Sequence, residues 1–197
     1  MTSPYLGLHS ELWSKKTEEL IASYPLAMDE LVEVVQLSWR GVFVSKIGTK
    51  RFQIGKHIFP KPQILAFFLH ELIPLELTSR YPGVWRGEES AADKDIVYVP
   101  DDSFSMEIKT SSHPSQIFGN RSYAQKVVKG KKSKSGYYLA INFDKSTKGA
   151  SVPRLRKIRF GWLDHGDWQG QVAATGQQAR LSPEVERGKL RLLFEDR

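Results

Sequence analysis

Three side chains hold the chemistry of this chain: Asp95, Glu107 and Lys109. Asp95 stands just before residues 96–110, IVYVPDDSFSMEIKT, two apolar alternating runs around a Pro-Asp-Asp-Ser turn, and Glu107 and Lys109 lie at the end of the second run. Strand side chains alternate faces, so Glu107 and Lys109 point one way, Met106 and Ile108 the other. If Pro100, Asp101 and Asp102 form the loop, Val99 faces Ser103 and Asp95 falls opposite Glu107. Their Cβ atoms then lie roughly 5 Å apart. A slip of one residue would send Asp95 to the wrong face. Two carboxylates that close repel unless a cation sits between them. Mg2+ suits the place, being hard, oxygen-seeking and willing to keep waters that a phosphate can replace. Such an ion polarises a phosphodiester and acidifies a water. Lys109 is placed to orient or deprotonate that water and to offset charge on phosphorus. The expected catalytic residues are Asp95, Glu107 and Lys109, with Asp95 and Glu107 as Mg2+ ligands.

Glu-x-Lys alone is weak, since composition yields it about once in a chain of this size. Its weight comes from lying on a strand, 12 positions after an aspartate that opens the partner strand. The bland alternative is a surface hairpin with a cross-strand salt bridge. A further carboxylate from a nearby helix would complete the site. Glu71 is the first candidate and Glu76 the second, against the equal case that each is an ordinary solvent-facing glutamate.

The elements that must position this hairpin are set by periodicity. Ser10 can cap a helix from Glu11 that carries Leu12, Trp13, Leu20 and Ile21 and stops near Pro25. A second helix is predicted from Asp29 to about Trp39. A third starts at Pro62 with Ile64, Leu65, Phe68, Leu72 and Leu75 at helical spacing, kinked or shortened by Pro74. After the hairpin, strands are expected at 137–143, 157–162 and 189–194. Helices, a strand hairpin and further strands indicate an α/β or α+β core with a mixed sheet. With no repeat and no linker, residues 1–197 read as one domain.

The 197 residues carry a net charge of +7 and a pI near 9.5, which favours a polyanionic partner. An apolar fraction of 40% fits a folded chain. There is no cysteine, which excludes disulfides, zinc-thiolate sites and cysteine nucleophiles and suits the cytoplasm. No signal peptide and no membrane helix are expected. The histidines at 70, 113 and 165 lack ligand spacing. Arg121, Lys126, Lys129, Lys131, Lys132 and Lys134 form the densest basic run, fit for phosphates or for a solvated loop. Base reading needs Arg for guanine and Asn or Gln for adenine. Gln116, Asn120 and Arg121 in one loop, and Gln177, Gln178 and Arg180 in another, fit that need, although each could simply cap a turn. Arg154, Arg156, Lys157 and Arg159 are further candidates for phosphate contacts.

Asp95 with Glu107-Ile108-Lys109 resembles the signature of the PD-(D/E)xK nuclease superfamily, with Lys94 in place of the proline before the aspartate. Within it the chain is similar to type II restriction endonucleases of the ScaI type. The words that carry this are DKDIVY (93–98), MEIKTSS (106–112), IFGNRSYAQ (117–125), GWLDHGDW (161–168) and ATGQQARL (174–181), across the second half of the chain. The resemblance implies an α/β/α core and a homodimer that uses Mg2+ to cut both strands of a short palindromic site in double-stranded DNA. It carries over Asp95, Glu107 and Lys109 as catalytic, implies a methyltransferase gene beside this one, and carries over no base-reading residue. A repair or junction-resolving nuclease on the same core, and a non-enzymatic basic nucleic-acid-binding module, stand as alternatives.

Overall fold

Apolar stripes at helical spacing build the first layer. The computed structural model describes residues 2–125, 132–149, 152–173 and 175–196. Helix α1 (Trp13–Ala22) follows a 3-10 turn at Ser10–Leu12, and its start carries no side-chain cap, so Ser10 does not play the expected part. Helix α2 (Met28–Val44) outruns the predicted end at Trp39 because Val42 and Phe43 prolong its buried stripe. A short hairpin follows, β1 (Lys46–Ile47) with β2 (Phe52–Gln53). Helix α3 (Pro62–Arg80) buries Leu65, Leu69, Ile73, Pro74 and Leu77, while Ile64 and Leu75 are exposed. Of the predicted positions Leu65, Phe68 and Leu72 do pack on the core, and the helix continues through Pro74, which withholds the N–H that would bond the His70 carbonyl.

The remaining strands are β3 (Trp85–Gly87), β4 (Ile96–Tyr98), β5 (Met106–Ser111), β6 (Phe118–Asn120), β7 (Gly136–Phe143), β8 (Leu155–Leu163), β9 (Trp168–Gly170), β10 (Gln178–Leu181) and β11 (Leu190–Glu195), with α4 (Pro183–Lys189) before the last. Six form a mixed central sheet in the order β11-β8-β7-β5-β4-β3, in which only β5 and β7 run parallel. One face of that sheet presents Met106, Ile108, Leu139, Ile141, Ile158 and Phe160 to α1, α2 and α3 in the main core. The other presents Tyr138 and Ala140 to a second core with Ile117, Trp168, Ala179, Leu181 and Val185. That layer consists of α4 and a three-stranded sheet, β6-β10-β9. The α/β/α expectation thus takes the form of helices on one face, and a helix with a small sheet on the other. At Gly161 a Cβ would lie 1.9 Å from the Lys189 carbonyl oxygen, so only glycine lets β11 begin alongside β8. No helix among the described residues is long and apolar enough to cross a membrane.

The hairpin keeps the predicted register with a wider loop. Ile96 pairs with Met106, which sets Asp95 opposite Glu107. Val99 and Ser103 do not pair. Ser103 belongs to a 3-10 turn, Asp102–Phe104, whose start is capped by Asp101. The Val99 N–H donates instead to the Val84 carbonyl at 2.9 Å.

Candidate active site

Past the single Ile96–Met106 bridge, β4 no longer supplies backbone partners to β5. The Asp95 side chain takes over: its Oδ2 accepts from the Ile108 N–H at 2.7 Å. One carboxylate oxygen thereby fixes the acid to the strand, and Oδ1 is left facing Glu107. Glu107 is buried, at 2% exposure. Its Oε1 accepts from Lys109 Nζ at 2.8 Å and from the Tyr123 hydroxyl. Its Oε2 is buried without a hydrogen bond. Lys109 also donates to the Ile108 carbonyl at 3.1 Å and lies 4.5 Å from the centre of the Tyr123 ring.

Tyr123 reaches this place from a 3-10 turn, Arg121–Ala124, by packing between Gly119 and Trp168. A Cβ at Gly119 would stand 3.1 Å from the Tyr123 ring and 3.2 Å from Trp168. Burial and the neighbouring Glu107 raise the Tyr123 phenol well above its ordinary value, so it stays a donor to that carboxylate.

Between the two acids stands the ammonium of Lys132, 2.7 Å from Asp95 Oδ1 and 3.2 Å from Glu107 Oε2. Burial alone would raise the Glu107 carboxyl, but Lys109, Lys132 and Lys94 together outweigh it and hold the group at about 2. Burial alone would lower Lys132, yet Glu107 and Asp95 keep it above the usual lysine range. Lys94 is itself buried, donates to the Ser133 carbonyl and is lowered by that burial to about 8.

Helix α3 completes one wall. His70 Nδ1 lies 3.6 Å from Asp95 Oδ2, and burial lowers the imidazole from its ordinary value despite that carboxylate. A cleft of about 240 Å³ is lined by His70, Glu71, Gly87, Glu88 and Asp95. Glu71, exposed on α3, therefore shares a wall with the candidate ligand Asp95. Glu76 turns elsewhere, into an ion cluster with Arg80, Glu30 and Glu33. Tyr123, His70 and Glu88 carried no sequence signal of a role. Lys132 was legible only as part of a basic run.

Three of the candidate DNA-reading residues, Asn120, Gln178 and Arg180, come together in the small sheet. Strand β10 pairs with β6 on one side and β9 on the other, joining two segments that lie far apart in sequence. Opposed residues share a face. One cross-strand row is Phe118, Arg180 and Gln169; the next begins Asn120, Gln178. The Gln171 N–H extends the second row by donating to the Gln178 carbonyl at 2.9 Å. Ala179 and Leu181 fill the buried face, so Gln178 and Arg180 are exposed, as are Asn120, Gln169, Gln171 and Gln177. Gln169 and Gln171 were not singled out in the sequence, since only the pairing with β10 gives them meaning. Arg121 is engaged with the Ala173 and Gly176 carbonyls, at 3.2 Å and 3.3 Å. Gln116 sits before β6, its carbonyl held by the Asn142 amide at 3.0 Å. Lys126, Lys129 and Lys131 lie outside the described residues. Lys134 donates to the Ser122 carbonyl. Arg159 is buried against Asn142, Ser115 and Glu186, while Arg154 and Arg156 grip Asp144 and Lys157 pairs with Glu195. All four thus have partners within the fold, Arg159 in a buried network and the other three in part-exposed ion pairs.

The donor set fits a hard divalent cation. The two atoms that meet the Lys132 ammonium, Asp95 Oδ1 and Glu107 Oε2, are carboxylate oxygens, and a cationic group already stands between the acids. Ligand oxygens approach Mg2+ to about 2.1 Å, closer than they stand to the ammonium, so modest closure of the pair would be needed.

No solved structure matches this chain. A protein described as "Type II restriction enzyme ScaI", from Streptomyces caespitosus, is 48% identical over 190 residues, covering 95% of this chain and 83% of its own length. The sequence model of the ScaI restriction endonuclease family matches residues 3–194. With that span and that identity, the chain belongs to the ScaI restriction endonuclease family.

Proposed function

We propose that the chain is a Mg2+-dependent endonuclease that hydrolyses a phosphodiester in each strand of a short palindromic site in double-stranded DNA. The observation that carries this reading is the opposed pair Asp95 and Glu107, with the free edges of both carboxylates turned to one cation position beside Lys109. Membership of a restriction endonuclease family favours it over a repair nuclease or a binding module.

Asp95 Oδ1 and Glu107 Oε2 would hold Mg2+, which when bound supplies the Lewis acidity that polarises a phosphodiester and activates water. Asp95 Oδ2 stays on the Ile108 N–H, so the ligand is pre-oriented by the strand. Lys109 has three donors. Two are committed, to Glu107 and to the Ile108 carbonyl, and the third is left to orient the attacking water and offset charge on the phosphorus. Tyr123 fixes Glu107 from the other side. Glu71 is the helix carboxylate available to this cleft.

The exposed rows of the small sheet, with Asn120, Gln177, Gln178, Arg180, Gln169 and Gln171, present the amide and guanidinium groups that read base edges in the major groove, which a β-ribbon can enter. Gln116, Arg121 and Lys126 flank that sheet in sequence and would add contacts at its border. A palindrome is matched by two-fold symmetry, so the active form is a homodimer. The host's own copies of the site need protection, which calls for a methyltransferase gene beside this one.

Plasmid DNA digested in Mg2+ and in EDTA tests the reading. Discrete fragments with uniform sequenced ends, in Mg2+ alone, are expected. A smear of random ends, or no cutting, would overturn it.

A further inference from the structure

Lys132 is held at the carboxylate pair by construction. The segment that carries it is pinned by Lys94, which donates to the Ser133 carbonyl, and by the Tyr138 hydroxyl, which donates to the Lys134 carbonyl at 2.6 Å. Ser135 Oγ accepts from the His165 N–H at 3.0 Å. The ammonium then contacts Asp95 Oδ1 and Glu107 Oε2, the two oxygens that, among the described residues, no backbone group, tyrosine or other lysine occupies. On its outer side lies a third acid, the exposed Glu88, 3.4 Å away.

Charge balance sets the terms on which a metal ion can enter. Asp95, Glu107 and the nearby Glu88 supply three negative charges, and Lys94, Lys109 and Lys132 three positive ones. A divalent cation entering without displacing anything would meet an ammonium at contact distance in a partly buried place, where such repulsion is poorly screened. Lys94 and Lys109 bond to carbonyls as well as facing the acids, whereas among the described residues Lys132 meets only carboxylates. Lys132 is the group that can yield, and Glu88 or an incoming phosphate is there to receive it.

We propose that Lys132 is the resident counter-ion of the unloaded site: it occupies the position between Asp95 and Glu107, competes with the divalent cation for them, and on displacement becomes a positioning residue for the phosphodiester. This rests on Asp95 and Glu107 being the ligands. Calorimetric titration of Mg2+ into the DNA-free protein tests it. Lys132→Gln should bind Mg2+ at least about tenfold tighter than the wild type, and Lys132→Arg within about threefold of it. In EDTA the Gln variant should melt below the wild type, and Mg2+ should close that gap. Equal or weaker Mg2+ binding by Lys132→Gln would overturn the proposal. If Asp95→Asn binds Mg2+ as the wild type does, the ligand assignment fails instead. A measurement on the wild type stands independently of how the variants fold. Acetylation of Lys132, read by mass spectrometry, should rise severalfold when Mg2+ is added, and an unchanged yield would contradict displacement.

Discussion

Asp95 bonds the Ile108 N–H and, in the proposed function, also holds the cation, and two substitutions tell these apart. Asn at 95 keeps an acceptor for the Ile108 N–H but removes the charge that faces the cation position. Ala removes both. The Asn variant loses a part-buried ion pair with Lys132, worth about 1 kcal/mol once solvent screening is allowed for. The Ala variant additionally strands the N–H of a fully buried residue, which costs a further ~1–3 kcal/mol. Urea unfolding should therefore rank wild type above Asp95→Asn above Asp95→Ala, with midpoints moving at constant slope. Plasmid cleavage should fall alike in both variants, by about 10³-fold or more. That drop reflects several kcal/mol of lost Lewis-acid assistance at about 1.4 kcal/mol per factor of ten. Equal stability of the two variants would refute the carboxylate–strand bond, and cleavage by Asp95→Asn within about tenfold of the wild type would refute its ligand role.

Tyr123→Phe removes one charge-assisted hydrogen bond from Glu107, so cleavage should fall about tenfold or more with DNA binding retained; an unchanged rate would contradict a role for the hydroxyl. The Glu107 carboxyl sits at about 2 against an ordinary 4.5, because three lysines outweigh its burial. A depressed acid contributes stability that is full above the unfolded value and is lost as pH falls toward the folded one. In EDTA, the stability margin of wild type over Glu107→Gln should narrow by on the order of 2 kcal/mol between pH 6 and pH 3. A margin independent of pH would contradict it. Gly161→Ala drives a Cβ into the Lys189 carbonyl and should cost about 3 kcal/mol, visible as a large drop in thermal midpoint. Arg180→Ala should weaken binding to the cut site by ~1–3 kcal/mol and blur discrimination against one-base variants in gel shifts; equal loss on every sequence would reassign it to phosphate contact.

The legible part of the site is local. Two alternating runs and the residues between them set the register that opposes Asp95 to Glu107, and that register survives even though the turn holds Ser103 in a 3-10 conformation instead of pairing it with Val99. Helix α3 is legible from Pro62 and its apolar spacing, which also places Leu65, Phe68 and Leu72 against the core; because several other positions around it are apolar, only packing selects Leu69 and Ile73 over Ile64 and Leu75. What sequence could not show depends on long-range contact. Lys132 lies in a lysine-rich turn that reads as solvated, and it is fixed by long-range contacts, among them Lys94 and Tyr138 gripping the neighbouring carbonyls. The same holds for β10 joining Asn120 to Gln178, which merges two separate polar loops into one surface and adds Gln169. Isolated polar residues carry no periodicity, so their partners emerge only when strands pair.

The proposed function turns on a cation held between Asp95 and Glu107. Diffraction from crystals grown with Mn2+ tests this most directly, through the anomalous signal of the metal. A peak in contact with Asp95 Oδ1 and Glu107 Oε2, with Lys132 moved aside, is the predicted result. A saturated crystal with no peak there, or with the metal elsewhere and the two acids still on the lysine, would contradict it.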